Sequence, residues 1–179
     1  MSDMTKDKIA DTLEKLLERQ SLDKITIKLL VTECEISRQS FYYYYKDILD
    51  VLEWIAHRKL EKLLDQSRNV TDYKSGIHMF IDFVFENHYF ITRLLDSKHR
   101  EFIEQLLVSS LRSFLENILR ILLQRKEPLS FNYFDIDAIL DFCTYGLAGL
   151  LLEASKNKNT DKEVLARQMQ DLLLKVLTK

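Results

Sequence analysis

A chain of 179 residues with only 3 Gly and 1 Pro has almost nothing with which to build hairpins or tight turns. Glycine supplies positive φ and proline presets turn geometry, and their average usage is roughly 7% and 5%. Their scarcity predicts long helices joined by few loops, an all-α fold. The length allows a sizeable core, either as one domain or with a small module attached to a larger one. No apolar stretch approaches the ~20 residues that span a bilayer, and no basic segment precedes an apolar run at the N-terminus. A soluble, cytoplasmic protein without a membrane role is expected.

Helical periodicity divides the chain further. Ile9, Leu13, Leu16 and Leu17 recur at helical spacing over residues 5–19, and a turn at Ser21-Leu-Asp-Lys24 ends that helix. Thr26 stands at a cap position before Ile27, Leu30 and Val31, which start a short second helix stopping near Cys34-Glu35. Asp47 is a cap for a fourth helix through Val51, Leu52, Trp54, Ile55 and Leu60 to about Leu64. Polar residues from Asp65 to Ser75 mark a boundary. Apolar residues then crowd one segment, Met79 to Ile91, and a long helix runs from Leu106 to Leu123. After the break at Glu127-Pro128, helices are predicted over Asp135–Ser155 and Asp161–Leu177. The last carries Leu165, Met169, Leu172 and Val176 on one stripe, widened by Val164, Leu173 and Leu177. Gly146 and Gly149 inside the preceding helix each cost roughly 1 kcal/mol against Ala, a cost that close approach of another helix would offset.

Between the second and fourth helices lies Ile36-Ser-Arg-Gln-Ser-Phe-Tyr-Tyr-Tyr-Tyr45. Ser37 is placed to cap a helix whose one face carries Phe41 and Tyr45. The other face carries Gln39, Tyr42, Tyr43 and Lys46. An amide can bond adenine in two places, and hydroxyls or an ammonium can hold phosphate oxygens. Two short helices joined by so tight a turn and braced by a longer one predict a helix-turn-helix, whose second helix enters the major groove.

The stretch Thr26-Ile-Lys-Leu-Leu-Val-Thr-Glu-Cys-Glu-Ile-Ser-Arg-Gln-Ser-Phe-Tyr-Tyr-Tyr-Tyr-Lys-Asp47 resembles the second and third helices of the TetR family of bacterial transcriptional regulators, and the likeness covers roughly residues 5–60. The Ser-Arg-Gln-Ser-Phe-Tyr motif, the aromatic run and the later Glu-Trp-Ile are similar to a branch that includes dihydroxyacetone-kinase operon regulators. The resemblance implies phosphate contacts by Tyr42, Tyr44 and Thr26, and base contacts by Arg38, Gln39, Ser40 and Tyr43. With Lys28, Ser37 and Lys46 these complete the candidate DNA-binding set. It further implies a DNA-binding domain at 1–62 and an effector-sensing, dimerisation domain at 63–179, with the last two helices pairing across a homodimer on a near-palindromic operator. Three departures stand out. Glu35 replaces the usual turn glycine, so the turn must reach its geometry with a residue less tolerant of φ > 0. Gln39 replaces a small residue, and Ile48 replaces a phosphate-binding lysine.

Charge argues the other way. The net charge is −2, and residues 1–60 hold ten Lys/Arg against eleven Asp/Glu. Only the face touching phosphate needs to be basic or donor-rich, although weaker non-specific affinity follows. An adaptor that kept the helix-turn-helix but works through protein contacts is therefore the alternative to an operator-binding repressor or activator. Phe80, Phe83, His88 and Tyr89 are candidate residues for a small-molecule, metal or protein effector, with core packing as the competing explanation. His57 with His99, Glu101 and Glu104 is the first guess for a zinc-responsive version, although no His pair has a convincing ligand spacing. Cys34 and Cys143 lack metal or redox spacing and read as buried thiols. No cofactor is expected. No phosphate loop or nucleophile motif supports an enzyme.

Overall fold

The computed structural model describes residues 2–67, 73–124, 136–156 and 161–177. Among these the chain is helical, without a strand. The elements are α1 (Ser2–Arg19), a 3-10 turn (Leu22–Lys24), α2 (Ile27–Glu33), α3 (Arg38–Tyr44), α4 (Ile48–Ser67), α5 (Tyr73–Glu86), α6 (His88–Leu95), α7 (Arg100–Gln124), α8 (Ile136–Lys156) and α9 (Lys162–Leu177). The break expected at Pro128 and the loop 157–160 lie outside the described residues, as do the side chains of Leu173, Val176 and Leu177.

Contacts group the chain into two compact units. The first comprises Met1–Lys59 and Tyr89–Leu106, the second Leu60–His88 and Leu107–Lys179.

In the first unit the predicted stripe of α1 is buried: Ile9, Leu13, Leu16 and Leu17 join Leu30, Val31, Phe41, Val51, Leu52 and Ile55 in the core. Each fully buried aliphatic side chain contributes about 1.5–3 kcal/mol through removal from water. Side chains also fix where the short helices begin. Thr26 Oγ1 accepts the Leu29 N–H at 3.2 Å, and Ser37 Oγ accepts the Ser40 N–H at 3.0 Å. Asp47 Oδ1 accepts the Asp50 N–H at 3.0 Å, while Asp50 Oδ2 accepts the Lys46 N–H at 2.8 Å, a reciprocal cap at the start of α4.

The turn between α2 and α3 is a Schellman motif: the Ile36 N–H donates to the Val31 carbonyl, and the Glu35 N–H donates to that of Thr32. That geometry needs one left-handed residue, and Glu35 supplies it with φ at 54°. The missing turn glycine is therefore met by strain at Glu35 and not by a different turn.

In the second unit Leu63, Phe80, Ile81, Leu111, Phe114, Ile118, Leu147, Leu151, Leu165 and Met169 form one core. The crowded apolar segment 79–91 divides at Asn87, between α5 and α6, where the Asn87 backbone N–H and side-chain amide both donate to the Phe83 carbonyl, at 3.1 and 2.8 Å. One expectation changes here. The long helix begins at Arg100, earlier than Leu106, since Phe102 and Ile103 continue its apolar pattern. Close helix approach within the chain occurs at Gly76, where a Cβ would stand 3.0 Å from Ile118 Cδ1, whereas a Cβ at Gly146 or Gly149 would meet nothing within 4 Å.

Candidate nucleic-acid interface

The helix α3 separates its side chains by chemistry. Phe41 and Tyr45 are buried, and the Tyr45 hydroxyl donates to the Lys6 carbonyl at 3.1 Å. Tyr42 and Tyr43 are 57% and 79% exposed. Arg38, Gln39 and Lys46 are exposed, and Ser40 and Tyr44 are half-buried. Edge-to-face contacts stiffen the exposed rings: Tyr42 meets Phe41 with centroids 5.5 Å apart, and Tyr43 meets Tyr44 at 4.8 Å. Such pairs reduce the freedom a ring would otherwise lose on binding.

The remaining candidates sit at helix starts. Thr26 and Ser37 spend their hydroxyl oxygens on caps, which leaves each hydroxyl proton available to a phosphate oxygen. Lys28 is exposed in the first turn of α2. At the start of α4, where the resemblance implies a lysine, Ile48 instead helps wall a cavity of about 250 Å³ with Leu22, Ile25 and Ile27, lined also by Asp23 and His99.

Three acids of the near-neutral first unit are engaged on α1, by cations of α4. Arg58 on α4 pairs with Asp7 at 3.3 Å and with Asp11 and Glu14 at 2.8 Å, and Lys59 holds Glu14 at 2.8 Å. Burial alone would lower the Arg58 pKa, but these carboxylates outweigh it and hold the proton more tightly. The sequence reading missed this cluster. Its signal was present as the acidic stripe 7, 11, 14 on one face of α1.

The effector candidates fall in both units. Phe80 is buried, with its ring centroid 5.1 Å from Phe114 and 6.3 Å from the adjacent Phe83. His88 is half-buried at the start of α6. Tyr89 belongs to the first unit, where Arg93 lies over its ring at 4.7 Å and its hydroxyl reaches the Glu18 carbonyl at 3.5 Å. Among the described residues no three His, Cys, Asp or Glu side chains converge as a metal site requires, so the His57, His99, Glu101 and Glu104 set is not assembled. His57 stacks on Trp54, and Glu104 accepts from Arg100 at 2.7 Å. Both cysteines are buried and free, and burial pushes their thiols up from the ordinary value, which makes them poor nucleophiles.

Comparison with known proteins bears on the fold and the family. The TetR C-terminal family described as "Transcriptional regulator C-terminal region" matches residues 71–175. The chain is 20% identical over 171 residues to the HTH-type dhaKLM operon transcriptional activator DhaS of Lactococcus lactis, covering 93% of this chain and 87% of that protein. A solved dihydroxyacetone kinase operon activator DhaS superposes with a TM-score of 0.75 at 17% identity, over 97% of this chain and 96% of that one. A TetR-family regulator of Pectobacterium atrosepticum gives 0.62 at 17% identity, over 99% and 96%. No described helix is long and apolar enough to cross a membrane. With a capped helix-turn-helix ahead of a matched regulatory region, the chain belongs to the TetR family and is a DNA-binding transcriptional regulator.

Proposed function

We propose that α3 is the reader, and that the protein works as a cytoplasmic homodimer controlling a nearby operon in response to an effector sensed by residues 63–179. The observation that carries this reading is the exposed row Arg38, Gln39, Tyr42 and Tyr43 on a helix anchored by the buried Phe41, with Lys46 exposed just beyond its end. Gln39 and Arg38 take base edges, and Tyr42, Tyr44, Thr26 and Lys28 take phosphates.

Dimerisation is supported by α8. Phe142, Tyr145, Gly146 and Gly149 are exposed at i, i+3, i+4 and i+7, one stripe of rings and small residues, and Val164 and Leu172 on α9 are also exposed. A second copy laid on that stripe removes the apolar rings from water and uses the space over the glycines. Selection from a random duplex library tests the reading. Recovery of a near-palindrome with half-sites one helical turn or a multiple apart is the expected result, and recovery of no preferred sequence defeats it. Transcription in vitro from that site separates activation, the role named for the Lactococcus relative, from repression.

A further inference from the structure

Lys6 lies on α1, outside the helix-turn-helix, yet it holds the end of α3 twice. Its carbonyl accepts the Tyr45 hydroxyl at 3.1 Å, and its ammonium stands 5.5 Å from the centroid of the Tyr45 ring. Tyr45 is the residue at which α3 ends, and its ring packs on Phe41 with centroids 6.0 Å apart. The same ammonium sits 3.5 Å from the centroid of Trp54 on α4. Trp54 is held in turn, since its ring N–H donates to Asp7 at 3.4 Å. One cation thus joins α1, the end of the recognition helix and the helix that follows it.

We propose that Lys6 is a positioning residue for sequence readout. Resting on the reading of α3 as the DNA reader, the inference is that the cation between Tyr45 and Trp54 fixes the direction of α3 against α1 and α4, and so the presentation of Gln39, Tyr42 and Tyr43. Ring faces attract a cation and give no comparable hold on a neutral side chain. Base-edge hydrogen bonds demand the correct helix angle, whereas phosphate contacts with random duplex tolerate a looser one. Loss of the cation therefore lowers specific binding more than non-specific binding.

Lys6→Met keeps an unbranched side chain only one heavy atom shorter and removes its charge. The full chain and this variant are titrated with the tightest duplex from a random library and with random-sequence duplex, over a range of salt, while Trp54 emission is followed. Expected for Lys6→Met are an operator affinity lower by about tenfold, a random-duplex affinity changed by less than about twofold, and shifted Trp54 emission. The salt slope stays the same, and Lys6→Arg restores most of the operator affinity. Equal losses on both duplexes, with a salt slope shallower by about one, make Lys6 a phosphate contact and overturn the inference. A lower melting temperature with an unchanged ratio of operator to random affinity makes it structural only and overturns it too. If the wild type prefers no duplex, the reading of α3 falls and takes this inference with it. A wild-type preference fully retained by Lys6→Met removes the inference alone.

Discussion

Helices α3 and α8 both hold aromatic rings out in solvent, and the company those rings keep separates their uses. On α3 the exposed Tyr42 and Tyr43 stand among Arg38, Gln39 and Lys46, so each ring comes with a hydroxyl and neighbouring donors. On α8 Phe142 and Tyr145, 68% and 66% exposed, share their stripe with Gly146 and Gly149. A polyanion with acceptor-lined grooves suits the first surface. Another helix suits the second, because small residues let backbones come together while rings fill the flanks. Exposed aromatic area alone therefore does not identify a partner; the donors and the Cβ-free space around it do.

The largest effect expected from breaking this contrast is on α8. Gly149→Glu combined with Leu172→Glu places charges on the proposed dimer face, so light scattering should find a monomer at micromolar concentration. Operator affinity should fall by about a hundredfold as the two half-sites lose their linkage. A variant that stays dimeric would exclude this face as the interface. On α3, Tyr42→Phe removes one hydroxyl and should weaken operator and random duplex alike by about threefold to tenfold, with dimerisation untouched. Anisotropy titration and light scattering on the same sample check both halves of that statement.

The α3 side of this contrast was legible in the sequence, for local reasons. Caps at Thr26, Ser37 and Asp47 are set by residues within three positions, and each forms as the spacing predicts. Phe41 and Tyr45 are inside as expected, although Tyr45 is buried from the extended residue just after α3 and not from its last turn. What the sequence hid was non-local. Arg58 is fifty-one positions from Asp7, so the acidic stripe of α1 is visible locally but its partner on α4 is not. The break at Asn87 was obscured because the apolar residues run on through it. The glycines divide by partner. Gly76, in an unremarked position, is where Ile118 presses close, while Gly146 and Gly149 face open space.

Smaller effects sharpen the description of the first unit. Glu35→Gly should raise stability by about 1 kcal/mol, read from chemical denaturation, because φ at 54° costs a side-chain-bearing residue what glycine does not lose. Alkaline stability gives the smallest signal. Burial, with Asp7 and Asp50 nearby, pushes the Tyr45 phenol up, and burial pushes Cys34 up as well. A group whose folded pKa is raised stabilises the fold below its unfolded value and loses that contribution as pH rises. Stability should therefore decline above pH about 9–10, where unfolded thiols and phenols ionise first. Tyr45→Phe should lose about 1 kcal/mol at neutral pH with its bond to the Lys6 carbonyl, yet show a flatter decline at high pH. An identical slope in that variant would assign the alkaline sensitivity elsewhere.

The most direct test of α3 as the reader compares Gln39→Ala with the wild type in duplex-library selection. The expected result is that the recovered sequence loses preference at one base pair in each half-site, by about 1–3 kcal/mol, while all other positions keep theirs. Recovery of the same sequence with unchanged preference at every position would show that Gln39 on α3 does not read the operator.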